Sequence, residues 1–205
     1  NKPNNSSTII DIGSSKVTCL IAEKTEVDTG FHIIGNSQNI CEGFKQGNVT
    51  NINKLSLSIA NAVSSAEKMA GTSITAAHIV INGGRQHSKI FKAETDIYNG
   101  EITNKEIEKI MRYCTHSAND TKSKILHAFP IRFQIDNSTS ISNPRGMVGH
   151  NLKGEVNICK INESVLSNIS RVVEQNHIEV LSFISSSYAN SFSCLANEEI
   201  GIGCT

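Results

Sequence analysis

Short apolar runs open the chain, and the period lengthens to three and four residues only after position 53. Thr8 to Ile12 and Val17 to Glu23 are separated by Gly13-Ser14-Ser15, which predicts a β-hairpin, and Phe31 to Gln38 predicts a third strand. From Asn53 onward, Leu55, Ile59, Ala62, Val63, Ala66 and Met69 recur at helical spacing, with Gly71 placed as a left-handed cap. An amphipathic helix of about four to five turns is expected. Ala77 to Ile81 follows as a buried strand, closed by Gly83-Gly84.

The texture changes at Gly84. Lys89 to Tyr98 is strand-like, and Thr103 with Glu106 has the spacing of a capping box while Ile102 and Ile107 have that of a hydrophobic staple. A helix starting at Thr103 is expected, its stripe of Ile107, Ile110, Met111 and Cys114 packing on a small sheet. Lys124 to Phe129 and Ile131 to Asp136 are read as two strands, since Pro130 between them rules out an uninterrupted central one. The polar stretch 137–153, with Pro144, Gly146 and Gly149, predicts a long loop, and Glu155 to Ile161 a closing strand. The alternating style then returns. Val165, Leu166, Ile169, Val172 and Val173 mark a helix, Ile178 to Ile184 a strand, and Tyr188, Phe192 and Leu195 a last helix. Without the middle block the order is β-β-β-α-β-α-β-α, which folds as a mostly buried mixed sheet flanked by helices.

Composition narrows the class. At 205 residues the chain is one large domain or one domain carrying a smaller one. Nineteen Lys and Arg balance nineteen Asp and Glu, so the excess of positive charge needed to bind nucleic acid is missing and no nucleic-acid partner is expected. With 38% apolar and 19% charged residues the chain carries a core and is not disordered. No apolar run approaches the roughly 20 residues that cross a bilayer, and Asn1 to Ser7 is polar rather than a signal peptide. Six cysteines form no C-x-x-C pair and sit mostly among apolar neighbours, which predicts free buried thiols. Seven histidines offer no zinc spacing.

The candidate chemistry lies in Ile9-Ile10-Asp11-Ile12-Gly13-Ser14-Ser15-Lys16-Val17. Glycine at the turn allows positive φ and brings amides close to an anion; Ser14 and Ser15 supply hydroxyls, and Lys16 a compact cation. Asp11, at the strand end, is placed to hold a hydrated Mg²⁺ bridging phosphate oxygens. The same pattern also serves as an ordinary hairpin turn.

Context raises the loop, and with it the chain resembles the N-terminal half of the FtsA family of bacterial actin-like cell-division proteins. Asp11-Ile12-Gly13-Ser14-Ser15-Lys16-Val17 is similar to the family's first phosphate loop, and Glu42-Gly43-Phe44-Lys45-Gln46-Gly47 to the segment before its first long helix. Gly100-Glu101-Ile102-Thr103, Ile125 to Phe133 and Pro144-Arg145-Gly146-Met147-Val148-Gly149 resemble its inserted subdomain. The resemblance runs from Thr8 to Gly201. It implies an α/β, RNase H-like (actin-like ATPase) subdomain 1A over residues 8–83 and 161–205, and an inserted α+β strand-helix-strand-strand subdomain 1C over residues 84–160. It implies ATP and Mg²⁺ held in part by Asp11, Gly13, Ser14, Ser15 and Lys16, with Asp11 toward the metal, and self-assembly into filaments. It implies further that FtsZ and the membrane are bound through regions beyond this chain, and later division proteins through residues 84–160. The implied location is the cytoplasmic face of the inner membrane at the division site.

The resemblance places a second, Asp-Gly-Gly phosphate loop beyond Ile202-Gly203-Cys204-Thr205, so the nucleotide site is expected to be incomplete here and this piece to bind ATP poorly. Ser182 stands where the family often has Glu, near the water-orienting position of actin-like ATPases; a hydroxyl is no carboxylate base, so at most weak hydrolysis is expected of the full-length protein. A pilus-assembly actin homologue and a small-molecule kinase of the same superfamily are the alternatives. His78 and His127 read as core or edge packing, Met111 and Phe129 as core, and Lys105, Glu106, Glu108, Lys109 and Arg112 as a solvated helix face. Arg85 and Arg145 carry no assignable role.

Overall fold

The first two strands form as alternation dictates. The computed structural model describes residues 6–25, 30–98, 100–136 and 139–194. β1 (Ser6–Ile12) and β2 (Lys16–Lys24) pair antiparallel, with Ile10 opposite Cys19 and Ile12 opposite Val17. Every second residue points to one face, and Ile10, Ile12, Val17, Cys19 and Ile21 are fully buried there. Burial pushes the Cys19 thiol up to about 12, with the Glu67 carboxylate adding to it, so this cysteine behaves as a core residue. β3 (Phe31–Ile40) adds antiparallel to β2. The hairpin of β4 (Phe44–Lys45) and β5 (Asn48–Val49) escaped the periodicity, because two residues a side carry no period. α1 (Ile52–Ala70) begins at Asn51, whose side chain accepts from the Lys54 amide, and ends at Gly71 with φ of 68°. Leu55, Ile59, Ala62 and Ala66 are its fully buried stripe. β6 (Ala76–Ile81) follows, parallel to β1.

The chain divides into two compact units, Asn1–Arg85 with Ser164–Thr205, and Gln86–Glu163. The second holds β7 (His87–Asp96), α2 (Asn104–Ala118), β8 (Ser123–Ile135) and β9 (Asn151–Asn162), the strands antiparallel in the order β7-β9-β8. At the start of α2 the Thr103 amide donates to the Glu106 carboxylate at 2.8 Å and the Lys105 amide to the Thr103 hydroxyl at 3.2 Å. The bond from the Thr103 side chain is the main cause that holds the Glu106 carboxyl below its ordinary value. Ile102 and Ile107 are both buried in the core of this unit, as a staple requires. Thr103→Ala is therefore expected to lower the stability of this unit by about 1 kcal/mol. A reduced urea midpoint at unchanged slope is the measurement.

Two expectations for this unit are corrected. The strands read on either side of Pro130 are one edge strand, β8, whose register shifts between Ile125 and His127 and again between Pro130 and Arg132. At an edge the missing Pro130 amide costs no ladder bond. β9 starts at Asn151, inside the stretch expected as loop. Much of the rest of that stretch is tied to the entry of α2: the Ile102 amide donates to Met147 at 2.9 Å and the Gly146 amide to Ile102 at 2.9 Å. Arg145, whose Nε donates to the Asn104 amide oxygen at 2.6 Å, braces this loop on the helix. Lys105, Glu108 and Arg112 are exposed as expected, whereas Lys109 lies over the rings of Tyr98 and Tyr113.

α3 (Glu163–Glu174), β10 (Glu179–Ser185) and α4 (Ser186–Cys194) complete the chain; Leu195, expected in the last helix, and Ile202 to Thr205 lie outside the described residues. The large sheet has the order β10-β6-β1-β2-β3, with β10, β6 and β1 parallel and β2 reversed. This is the expected α/β, RNase H-like mixed sheet, with a strand-helix-strand-strand unit inserted between β6 and α3. Among the described residues no helix is long and apolar enough to cross a membrane. Cys19, Cys41 and Cys114 are buried free thiols, Cys159 is half-buried and Cys194 exposed; Cys204 lies outside the described residues.

Candidate functional site

Because β1, β6 and β10 run parallel, their carboxyl ends lie along one edge of the sheet. In open α/β sheets that edge is where ligands bind. Asp11, half-buried near the end of β1, sits between Thr18 and Val80 in the ladder. Burial raises its carboxyl above the ordinary value, and the Lys16 charge partly opposes the rise.

The turn after β1 is built differently from the expectation. Gly13 is not in the left-handed region; its amide donates to the Lys16 carbonyl at 3.0 Å, and a Cβ there would stand 3.2 Å from the same oxygen. Close approach, not positive φ, is what glycine serves, and the Gly13 amide closes the hairpin. Ser14, Ser15 and Lys16 are exposed, and among the described residues none accepts from the amides of Ser14 and Ser15. Two amides, two hydroxyls and an ammonium thus crown the turn.

Two further loops meet this one, and sequence reasoning missed both. The Gln46 amide donates to the Ser14 hydroxyl at 3.1 Å, and the Cys41 amide to the Ser15 carbonyl at 3.0 Å. Gln46 and Gly47 form the turn of the β4–β5 hairpin, with φ of 50° and 79°. The Gly84 amide donates in turn to the Gln46 carbonyl at 3.3 Å. The loops after β1, between β4 and β5, and after β6 are one hydrogen-bonded cluster. The available signal was the spacing of Gly43, Gly47 and the Gly83-Gly84 pair, which periodicity treats only as punctuation.

The donor set fits a polyphosphate. Amides, hydroxyls and an ammonium suit anionic oxygens, and Asp11 is a single carboxylate suited to a cation that keeps most of its water. Among the described residues no group of three or more His, Cys, Asp or Glu side chains is gathered to hold a metal by itself. Ser182 stands elsewhere: on the outer strand β10 it pairs with His78 of β6, its hydroxyl 2.8 Å from His78 Nδ1. His127 is half-buried on β8, stacked on Phe129 at 5.5 Å, and burial lowers its pKa.

Residues 83–160 match the family described as the SHS2 domain inserted in FtsA. Over 205 residues the chain is 26% identical to the cell division protein FtsA of Rhizobium meliloti, covering 96% of this chain and 46% of that protein. Over 196 residues it is 30% identical to FtsA of Pseudomonas aeruginosa, covering 95% and 46%. The chain spans about half the length of the curated relatives it matches. Among solved structures, the PilM–PilN type IV pilus biogenesis complex superposes with a TM-score of 0.61 at 10% identity, covering 93% of this chain and 50% of that one. At that identity the likeness is one of fold.

Proposed function

We propose that this chain belongs to the FtsA family of cell-division proteins, corresponds to their N-terminal half, and supplies one wall of a nucleotide site in an assembly protein, a reading supported by the match of residues 83–160 and by relatives at 26% and 30% identity. The observation that carries the reading is the three-loop cluster at the carboxyl ends of β1 and β6, with the Ser14 and Ser15 amides turned to no described partner. In that site Lys16 and the two serines bind the phosphates of ATP, Gly13 lets the turn close tightly beside them, and Asp11 holds Mg²⁺ through its water. The metal neutralises phosphate charge when bound. With its hydroxyl engaged by His78, Ser182 offers no base for hydrolysis, so the nucleotide serves as a conformational and polymerisation ligand.

In this reading residues 8–83 and 161–205 are subdomain 1A and residues 84–160 subdomain 1C, which docks later division proteins. FtsZ and the membrane are engaged by parts of the protein outside this chain, at the cytoplasmic face of the inner membrane. A pilus-assembly role would rest on the shared fold alone, whereas relatives at 26% and 30% identity are division proteins. Binding of an FtsZ tail peptide by the full-length protein is the outcome that separates the two.

The nucleotide assignment is tested by titrating a fluorescent ATP analogue, with Mg²⁺, into the full-length protein in which the segments after Thr205 are restored. Losing two charge-assisted contacts in Asp11→Ala/Lys16→Ala is expected to weaken binding at least about a hundredfold, at roughly tenfold or more for each. Unchanged affinity in a folded variant removes the site.

A further inference from the structure

β3 is the last strand of the five-stranded sheet, and among the described residues no strand pairs with its outer side. Its sequence, Phe31 to Ile40, contains no Lys, Arg, Asp, Glu or Pro. Those are the residues with which sheet edges are ordinarily guarded against pairing. Three of its apolar side chains are also open to solvent: Phe31 at 62%, Ile33 at 54% and Ile40 at 80%.

The register of β3 makes this edge complementary to itself. Phe31, Ile33, Asn36, Gln38 and Ile40 lie opposite Lys24, Ala22, Leu20, Thr18 and Lys16 of β2, every second residue of that strand. All five therefore share one face, and all are exposed. Ile34 is the extra residue of a bulge, where the register steps between Ile21 and Ala22.

We propose that two copies of this chain associate edge to edge through β3, antiparallel, about a two-fold axis at Asn36. In that register Phe31 faces Ile40 of the second copy, Ile33 faces Gln38, and Asn36 faces Asn36. Each end of the pair gains an aromatic–aliphatic contact, the centre an amide–amide hydrogen bond, and no like charges meet. The bulged Ile34 falls opposite the step between Ser37 and Gln38 of the second copy, once on each side, so the symmetry absorbs it. A slip of one residue would set the exposed face of one strand against the opposite face of the other, which fixes the register. The contact is isologous and closes at a dimer. It requires no nucleotide and so stands apart from the function proposed above.

The test uses the 205-residue chain carrying Cys194→Ser and Cys204→Ser, to remove the exposed thiol and its neighbour near the terminus. Directly opposed residues on antiparallel strands have Cα atoms roughly 4.5–5.5 Å apart, within disulfide reach. Two Gln38 residues in the proposed pair would stand about 14 Å apart along the strands. Under mild oxidation without nucleotide, Asn36→Cys is expected to give at least about tenfold more covalent dimer than Gln38→Cys. Sedimentation of the uncrosslinked chain is expected to show a concentration-dependent dimer that Phe31→Lys/Ile40→Lys abolishes, with circular dichroism unchanged. Equal cross-linking at 36 and 38, or a monomer at every concentration, overturns the proposal.

Discussion

Gly47→Ala is expected to dismantle the loop cluster and to abolish nucleotide binding by the full-length protein, although residue 47 touches no phosphate in the proposed site. Two costs combine. Gly47 has φ of 79°, and a side chain in the left-handed region costs about 1–2 kcal/mol. A Cβ there would also stand 1.8 Å from the Gly84 nitrogen and 2.4 Å from the Gly83 carbonyl carbon, both backbone atoms that cannot rotate away. The β4–β5 turn must then lift off the loop after β6, losing the bond from the Gly84 amide to Gln46 and, with Gln46 displaced, the tether to Ser14. The expected loss is about 3 kcal/mol or more of local stability, in the range where backbone clashes stand apart from ordinary substitutions. Gly71→Ala is the control. Its φ of 68° is similar, but nothing lies within 4 Å of the added Cβ, so only the conformational cost of about 1 kcal/mol is expected. Hydrogen exchange of the amides around Gln46 and Gly84, read beside the nucleotide titration, separates the two variants. Equal effects would mean that the three loops are not mechanically joined.

The contrast between those two glycines also marks what the sequence can tell. Gly71 was legible because it follows a long periodic run, and a helix end is a local event. Gly47 was not, since its requirement comes from Gly83 and Gly84, which arrive from a strand more than thirty residues later in the chain. The same division holds elsewhere. The succession of strands and helices was readable in outline because the hydrophobic period changes from element to element, and the α2 start because capping box and staple act within five residues. β8 was split in two because Pro130 is a strong local signal, while its tolerance depends on lying at an edge, a fact of topology. For the candidate site, Asp11 to Lys16 could be picked out as a turn that carries a carboxylate, two hydroxyls and an ammonium. That Gly13 spends its amide inside the turn, leaving Ser14 and Ser15 as the available donors, is geometry that no spacing reveals.

Asp120→Ala is expected to destabilise the unit Gln86–Glu163 far more than Lys160→Met, although the two residues form one ion pair. Lys160 projects from β9 into the core side of its sheet, only 6% exposed, where its ammonium donates to the Ala118 carbonyl at the end of α2 and to the Asp120 carboxylate. Asp120 is half exposed and accepts in addition from the amides of Lys122 and Ser123 at 2.8 and 2.7 Å and from the Ser123 hydroxyl at 2.7 Å. Methionine has the length and flexibility to fill the channel of Lys160, and the carboxylate it leaves behind keeps its other donors and its water. Alanine at 120 instead strands a buried ammonium on one neutral carbonyl and releases three donors at once, the costly way to break such a pair. Urea unfolding should therefore rank the native chain first, Lys160→Met second and Asp120→Ala last. The reverse order would reduce the pair to a surface contact. Acid gives an independent check. Bonds from Lys160 first, then Ser123 and Lys122, hold the Asp120 carboxyl well below its ordinary range. Near and below about pH 4 the unfolded chain takes up a proton at this residue that the folded one refuses, so its stabilisation is present above that pH and drains away as the pH falls toward the folded value. Asp120→Ala lacks that titration, and the gap between it and the native chain should accordingly narrow between pH 7 and pH about 3. A gap that stays constant over that interval would place the stabilising role of residue 120 in its shape and not in its charge.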